Sequence, residues 1–160
     1  MPDPAPSAVP APAAPAAAAV TQPTRAGLAF IAGLGAAVVG AVLWALITVT
    51  TKYQIGFMAV GVGLLVGWTV QRTGRSGAPV LGVLGAALAL GGCPLGDLLS
   101  AAPFIAEGKG VPLMSAVGEV LTNPSLDVAI LTATFDVMQI VFYAIAIYEG
   151  YKFARRPVSG

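Results

Sequence analysis

The feature that most constrains this chain is a long uncharged apolar segment near its start. Residues 26–48 (AGLAFIAGLGAAVVGAVLWALIT) contain no charged side chain, and about 20 such residues suffice to cross roughly 30 Å of hydrocarbon. Further apolar segments follow up to Phe153, with few charges between them. The pattern predicts an all-α integral membrane protein for which the bilayer acts as the solvent.

Composition excludes several classes of function. The chain is 57% hydrophobic and 9% charged, whereas soluble domains contain roughly 25% charged residues. Its net charge of +1 and lack of a basic patch argue against nucleic acid as a partner. Histidine is absent and Cys93 is the only cysteine, which excludes an intrachain disulfide, a His/Cys zinc site and haem ligation through imidazole. We expect no metal, no cofactor and no enzymatic activity.

Residues 1–24 form a separate block rich in proline and alanine, in which Asp3 is the only charged residue. Repeated prolines oppose helix and sheet, so we expect an extended arm, partly polyproline II. It is not expected to be a secretory signal, because Arg25 is the first cation and no basic residue precedes an apolar run. The arm is either a solvated tail or a strap that lies along a partner subunit.

We predict four transmembrane helices within a domain of residues 25–156, at about 26–48, 55–71, 79–99 and 135–153, followed by a tail at 157–160. The last span could begin at Val128 or near Asp136. We favour a start at 134–136, because Asp is a preferred N-cap residue and a carboxylate in hydrocarbon costs about 2.5–3.5 kcal/mol. Pro94 is expected to break or kink the third helix near its outer end.

The residues between the third and fourth spans include a predicted interfacial amphipathic helix at about 112–122. Its apolar face would comprise Leu113, Met114, Val117, Val120 and Leu121, and its polar face Ser115 and Glu119. Asn123 and Pro124 would end it, and a short segment from Ser125 would lead into the last span.

Charge predicts the orientation, since positively charged loops stay in the cytoplasm. With four spans, one side carries Arg25, Arg72, Arg75, Lys152, Arg155 and Arg156, and the other carries Lys52 and Lys109. Both termini are therefore expected in the cytoplasm, and the opposite side is expected to be acidic.

Small residues recur along the first three spans at intervals that place them on one face. The candidate helix-packing residues are Ala32, Ala36, Gly40, Gly56, Gly63, Gly67, Gly82 and Ala86. Such residues let helix backbones approach closely where lipid abolishes the hydrophobic drive. The spacing predicts a compact Gly/Ala-packed bundle within the chain, with oligomerisation or docking to another protein as the alternative. Trp44 and Trp68 are expected at the membrane interfaces as anchors.

Polar residues near the spans are the candidates for chemistry: Asp97, Asp136, Gln139 and Tyr143. Asp136, Gln139, Tyr143 and Gly150 follow helical spacing and could line one face, and Asp97 could lie near Asp136. Tyr143 lies deep enough to need a hydrogen-bond partner. The two acids would form either a proton or cation site, or a helix cap with a solvated neighbour. Cys93, in apolar surroundings, is expected to be inert.

Three segments, in order, carry a resemblance to a family: GAAVVGAVLWALITVTTKYQIGFMAVGVGLLVGWTVQ, LGVLGAALALGGCPLGDLLS and FDVMQIVFYAIAIYEGYKFA. The chain resembles a group of small bacterial inner-membrane proteins with four predicted spans and a closing "AIYEGYKF" helix, some with a zinc-ribbon-like segment before the first span. The resemblance covers about residues 27–153. This chain has the Pro/Ala arm in place of a ribbon and a longer insert at 104–134. The resemblance implies a bacterial inner membrane and the topology, and no activity.

Two functional hypotheses follow. The first is a noncatalytic accessory or scaffold subunit of a larger membrane complex, which docks through Gly/Ala helix faces and the N-terminal arm. The second is a small-solute or ion conduit, alone or as a homo-oligomer, with an acidic outer mouth.

Overall fold

The computed structural model describes residues 24–51, 57–134 and 136–156, and within these ranges the chain forms α-helices joined by short turns, with no strand. Its helices are α1 (Ala26–Thr51), α2 (Phe57–Gly74), α3 (Pro79–Lys109), α4 (Leu113–Thr122), α5 (Pro124–Thr134) and α6 (Val137–Ala154). The protein is all-helical, as the sequence predicts. The Pro/Ala arm up to residue 23, the predicted packing residue Gly56, and the tail at 157–160 lie outside the described residues.

Two helices, α1 and α3, are long and apolar enough to cross a membrane by length and composition. The bent pair formed by α5 and α6, with 109° between its two parts, passes the same test together and would make a third span. α2 and α6 carry polar residues in their last turns, Gln71 and Arg72 in one and Glu149 and Lys152 in the other. Within the part of the chain described, the helices thus include two to three candidate membrane spans.

α2 and α3 lie at the centre of the helical assembly, because each packs against α1, against α6 and against the other. α1 and α6 flank this pair and make no contact with each other within the described residues. The backbone N–H of Arg25 donates to the carbonyl of Gly74 at 3.3 Å, so α1 begins beside the end of α2. α1 and α3 therefore run in one direction, and α2 and α6 run in the other.

This arrangement gathers charges at one end of the four helices, which we call the basic end. It comprises the start of α1 and α3 and the end of α2 and α6, with Arg25, Arg72, Arg75, Lys152, Arg155 and Arg156. The opposite end, which we call the Asp97 end, holds the last turns of α1 and the first turns of α6 beside Asp97 of α3.

The helices approach most closely where a glycine of one faces the backbone of another. A Cβ added at Gly63 of α2 would overlap the carbonyl oxygen of Ala146, and one added at Gly85 of α3 would overlap that of Gly150. Only glycine permits these crossings of α6 over the two central helices. Glycine inside a helix costs about 0.5–1 kcal/mol relative to alanine, which the close packing offsets.

α3 extends further than the predicted span. Pro79 occupies the start of the helix, where a missing N–H is harmless, and the helix then runs through Pro94 and Pro103 to Lys109. Gly110 ends it in the left-handed conformation, with φ 64°. The helix therefore continues past residue 99, and the expected break or kink at Pro94 does not end it. Neighbouring helices can hold a proline-containing helix together.

The last part of α3 carries a second apolar cluster, in which Ala102 and Ala106 pack against Ala116 and Val120 of α4. The predicted helix at 112–122 is confirmed as α4, which Asn123 caps. Of its predicted apolar residues, Val120 is buried against α3, whereas Leu113, Met114 and Leu121 are exposed on the surface of the chain. An interfacial position for α4 remains a prediction.

The start of α6 lies where the sequence predicts it. Asp136 is the N-cap residue, and its Oδ1 accepts a hydrogen bond from the backbone N–H of Gln139 at 2.8 Å. The cap interpretation of Asp136 is therefore confirmed. The segment from Ser125, expected to lead into the last span, belongs to α5.

The two tryptophans lie in different environments. Trp68, near the basic end, is half exposed, and the Arg72 guanidinium lies 5.3 Å from its ring centroid. Trp44 is 1% exposed and packs against Gly96 of α3. The prediction of an interfacial anchor is wrong for Trp44, because the absence of a side chain at Gly96 leaves a space that the indole ring fills.

Candidate functional site

The most distinctive side-chain arrangement is a buried polar cluster around Asp97 of α3, which we call the Asp97 cluster. Asp97 is 2% exposed. Gln139 of α6 donates from Nε2 to Asp97 Oδ2 at 2.5 Å, and the Tyr143 hydroxyl donates a short hydrogen bond to the same oxygen. These two bonds connect the central helix α3 to the flanking helix α6.

The local sequence of α6 explains why both donors reach α3. The cap at Asp136 fixes the first turn, and Gln139 and Tyr143, four residues apart, then lie on one face of the helix. Both are buried, as is Gly150 further along the same face. Three of the four residues predicted to share a face of α6, Gln139, Tyr143 and Gly150, are thus buried, whereas Asp136 is exposed at the cap. Tyr143 has the hydrogen-bond partner that its depth was expected to require.

The two acids Asp97 and Asp136 contact the same residue, Gln139, but through different groups. Asp136 is exposed at the helix cap, and its carboxylate contacts the backbone of Gln139, whereas the side chain of Gln139 contacts Asp97. Gln139 therefore connects the two acids: Asp136 caps α6, and Asp97 accepts the hydrogen bond that joins α6 to α3. Lys109, considered as a cation near the acids, pairs with Glu119 at 2.6 Å, and Lys52 lies outside the described residues.

A third helix contributes polar groups that the sequence did not single out. Ser100 of α3 donates to the carbonyl of Gly96 at 2.7 Å and to the Thr48 hydroxyl of α1 at 3.5 Å. Both hydroxyls are buried. The indole N–H of Trp44, one turn before Thr48, is buried with no hydrogen-bond partner among the described residues. The four-residue spacings of Trp44 from Thr48 and of Gly96 from Ser100 place each pair on one face of its own helix, but they do not show that the two faces meet.

Cys93 lies one turn before Asp97 and is fully buried, with Sγ 3.9 Å from the carbonyl oxygen of Ala59 in α2. A buried thiol in this position fills space between helices, in agreement with the expected inert role. Residues from all four of the packed helices α1, α2, α3 and α6 thus meet within about one turn of Asp97 on α3.

Gln139 and Tyr143 are neutral side chains, and they stabilise the Asp97 carboxylate through the dipoles of their donor groups. Ionisable residues within spanning helices are rare, and they commonly mark a route for protons or ions or a fixed contact between helices. The Asp97 cluster can hold a proton on the carboxyl group, and it can fix the position of α6 on α3. In the described residues no group of three or more Cys, Asp or Glu side chains is arranged to hold a metal ion.

The predicted small residues lie on the inner faces of the helices. Gly40, Gly63, Gly67 and Gly82 are buried, and Ala32, Ala36 and Ala86 are half-buried. A Cβ at Gly40 would contact Val62 of α2 at 3.1 Å, and one at Gly82 would meet Arg155 Cγ at 2.6 Å. Gly40 and Gly82 therefore lie against other helices of the same chain. A compact Gly/Ala-packed bundle of four spans stays a prediction.

Comparisons of the chain with protein-family models, with curated proteins and with solved structures found no match. The resemblance to small bacterial inner-membrane proteins therefore stays a prediction.

Proposed function

We propose that the chain is a noncatalytic accessory or scaffold subunit of a larger bacterial membrane protein complex. In this proposal α1, α2, α3 and α6 are four spans of one Gly/Ala-packed bundle. The basic end faces the cytoplasm, because positively charged segments stay on that side. The bacterial inner membrane follows from the family resemblance.

The observation that carries the proposal is the direct backbone contact inside the helical assembly. Where Gly63 meets Ala146 and Gly85 meets Gly150, the space between the backbones is smaller than one added carbon atom. At these two crossings no solute can pass between α6 and the central helices α2 and α3. An interior closed in this way favours a rigid structural role over a conduit.

The outer surface of the helices offers the contacts that a subunit needs. α1 exposes a series of large apolar side chains along its length, among them Ile31, Leu34, Val39 and Leu46, and other helices expose further ones. Because the inner-face glycines are occupied within the chain, we propose that partner helices dock on this outer face of α1. The Pro/Ala arm, which precedes α1 in the sequence, would add a second contact.

The test is the mass at which the chain travels after extraction of its native membrane in a mild detergent. We expect a stoichiometric complex with larger polypeptides. Gly35 of α1 faces open space, so Gly35→Leu should leave the chain folded and release it from the complex. Gly91→Leu is the matched control, because Gly91 is equally open but lies on α3. Migration of the wild-type chain as a free monomer would contradict the proposal.

The arm is tested separately by deletion of residues 2–22. A docking strap predicts a weaker complex with unchanged thermal stability of the isolated chain. Unchanged co-purification after this deletion would restrict the docking surface to the helices.

The Asp97 cluster favours a second candidate, a small-solute or ion conduit. Since the interior of one chain is closed, such a conduit would run between copies in a homo-oligomer. It predicts that Asp97→Asn protein in liposomes loses proton or cation flux while Asp136→Asn, which alters only the helix cap, retains it. Equal flux from Asp97→Asn and wild-type protein would exclude Asp97 from the route.

A further inference from the structure

A pocket at the basic end suggests a ligand that neither proposed function requires. The pocket has a volume of about 360 Å³ and is lined by Tyr148, Tyr151, Lys152, Arg155 and Arg156. All five residues belong to the last turns of α6 and the turn that follows. It is an open depression at the point where the apolar part of α6 ends.

The pocket is strongly positive. Lys152, Arg155 and Arg156 contribute three cationic side chains, and the nearby carboxylate of Glu149 lies 4.0 Å from Lys152. Within the described residues, neither arginine of the pocket lies within ion-pair distance of a carboxylate. The negative end of a helix dipole amounts to about half an elementary charge, which three cations outweigh. The unbalanced charge favours an anionic ligand.

Aromatic rings, rather than carboxylates, hold the cations in place. The Arg156 guanidinium lies 3.8 Å from the Phe153 ring centroid, and Lys152 Nζ lies 5.2 Å from that of Tyr148. Arg155 donates from a guanidinium nitrogen to the Tyr151 hydroxyl at 2.9 Å. Contacts with ring faces orient a cation and leave its charge available to an anion.

The neighbouring helices support the floor of the pocket. Gly82 of α3 lies directly beneath Tyr151 and Arg155, because an added Cβ would meet Tyr151 Cε2 at 2.8 Å and Arg155 Cγ at 2.6 Å. On the other side, Gln71 of α2 donates from Nε2 to the carbonyl of Arg156 at 3.1 Å. The last turn of α6 is thus held by two other helices, so the cationic groups are positioned before a ligand arrives.

Phosphate fits this set of groups better than other common anions. Guanidinium groups bind phosphate oxygens in pairs, Lys adds a point charge, and the Tyr hydroxyls can donate further hydrogen bonds. A phosphate at the end of apolar helices lies at the level where lipid headgroups are found. We propose that this pocket is a binding site for a phosphate group, namely that of an anionic phospholipid headgroup. The proposal is independent of any partner subunit and of any conduit.

The experiment is an equilibrium titration of the purified full-length chain in a neutral detergent. One arm adds mixed micelles that contain phosphatidylglycerol, a second adds micelles with phosphatidylcholine, and a third adds inorganic phosphate. We expect saturable binding of phosphatidylglycerol, weaker binding of phosphatidylcholine, and little binding of inorganic phosphate. Binding of inorganic phosphate as tight as that of phosphatidylglycerol would support the site and assign it to free phosphate. Binding in none of the arms would overturn the proposal.

Charge-matched variants distinguish a site from the general positive field of the basic end. Arg155→Gln with Arg156→Gln removes two charges from the pocket, and Arg72→Gln with Arg75→Gln removes two charges from the same end outside it. We expect the pocket pair to weaken phosphatidylglycerol binding about tenfold or more, and the control pair to weaken it much less. An equal loss of phosphatidylglycerol affinity in both variants would overturn the proposal of a site. If the variant with Arg155→Gln and Arg156→Gln does not fold, the binding of Lys152→Gln is compared with that of Arg75→Gln. Each of these variants removes one charge, the first inside the pocket and the second outside it.

Discussion

The contact between α3 and α6 is made in two different ways along its length. Toward the basic end, Gly85 and Gly150 bring the two backbones together without any side chain between them. Toward the Asp97 end, the helices are connected by hydrogen bonds from Gln139 and Tyr143 to a buried carboxylate. The first contact depends on shape alone, and the second depends on hydrogen-bond partners.

This difference indicates how the helix pair reaches a single register. Backbone contact through glycine is tight, but glycine lacks a side chain that would select one partner residue over the next. A buried acid with two donors tolerates few displacements, because a shift leaves a polar group without its partner. We infer that the glycine crossing sets the distance between α3 and α6 and that the Asp97 cluster sets their register.

The largest effect is expected at the glycine crossing. Gly85→Leu would place a side chain against the carbonyl of Gly150, and neither backbone can move without disturbing its own helix. We expect a loss of about 3 kcal/mol in the free energy of unfolding, measured by denaturant titration in micelles. Gly91→Leu on the same helix is the control, because its added side chain meets nothing. Equal stability of the two variants would show that the crossing is looser than described.

The next effect is expected at the hydrogen bonds. Tyr143→Phe removes one of the two donors to Asp97 and leaves the ring in place. The expected loss is about 1–2 kcal/mol, by the same titration. Tyr148→Phe is the control, because it removes the same hydroxyl group from a residue of the same helix. The ring of Tyr148 is exposed, so this variant should leave the free energy of unfolding unchanged. A double-mutant cycle with Asp97→Ala, which removes the accepting oxygen, should give a coupling energy, and additive losses would contradict the contact.

Removal of the charge alone is expected to matter less than removal of a donor. Asp97→Asn retains an oxygen that accepts from Gln139 and Tyr143, and it removes a buried carboxylate whose desolvation is unfavourable. We expect a change below about 1 kcal/mol in either direction. A loss as large as that of Gly85→Leu would mean that the charge itself, rather than the hydrogen bonds, holds α6.

The smallest effect is expected at a third contact of α3, whose two side chains are exposed rather than buried. The Lys109–Glu119 pair joins the end of α3 to α4, with side chains 51% and 36% exposed. Glu119→Gln should cost about 0.5 kcal/mol, and the difference should disappear at high salt. Glu107→Gln, two residues before Lys109 on α3 and without an ion pair among the described residues, serves as the control.

The sequence predicted the features that depend on one helix at a time. Apolar length identified α1 and α3, Pro112 and Asn123 bounded α4, and the preference of Asp for N-caps located the start of α6. Helical spacing also placed Gln139 and Tyr143 on one face. Each of these properties follows from local geometry and chemistry, which a single sequence contains.

Features that depend on the facing helix were missed. Trp44 carries the properties of an interfacial residue, and only its position opposite Gly96 explains its burial. Tyr143 was expected to need a partner, but its pairing with Asp97 requires the relative register of α3 and α6. α3 continues past Pro94 because neighbouring helices support it, which the proline itself does not reveal.

The attachment of α4 and α5 has an evolutionary consequence. Within the described residues these two helices contact only α3 and each other, and their apolar cluster with α3 is separate from that of the other helices. During evolution, α4 and α5 can be lengthened, shortened or replaced together without a change in the packing of α1, α2 and α6. New surface chemistry at that end of the molecule can therefore arise by insertion rather than by remodelling of the ancestral core.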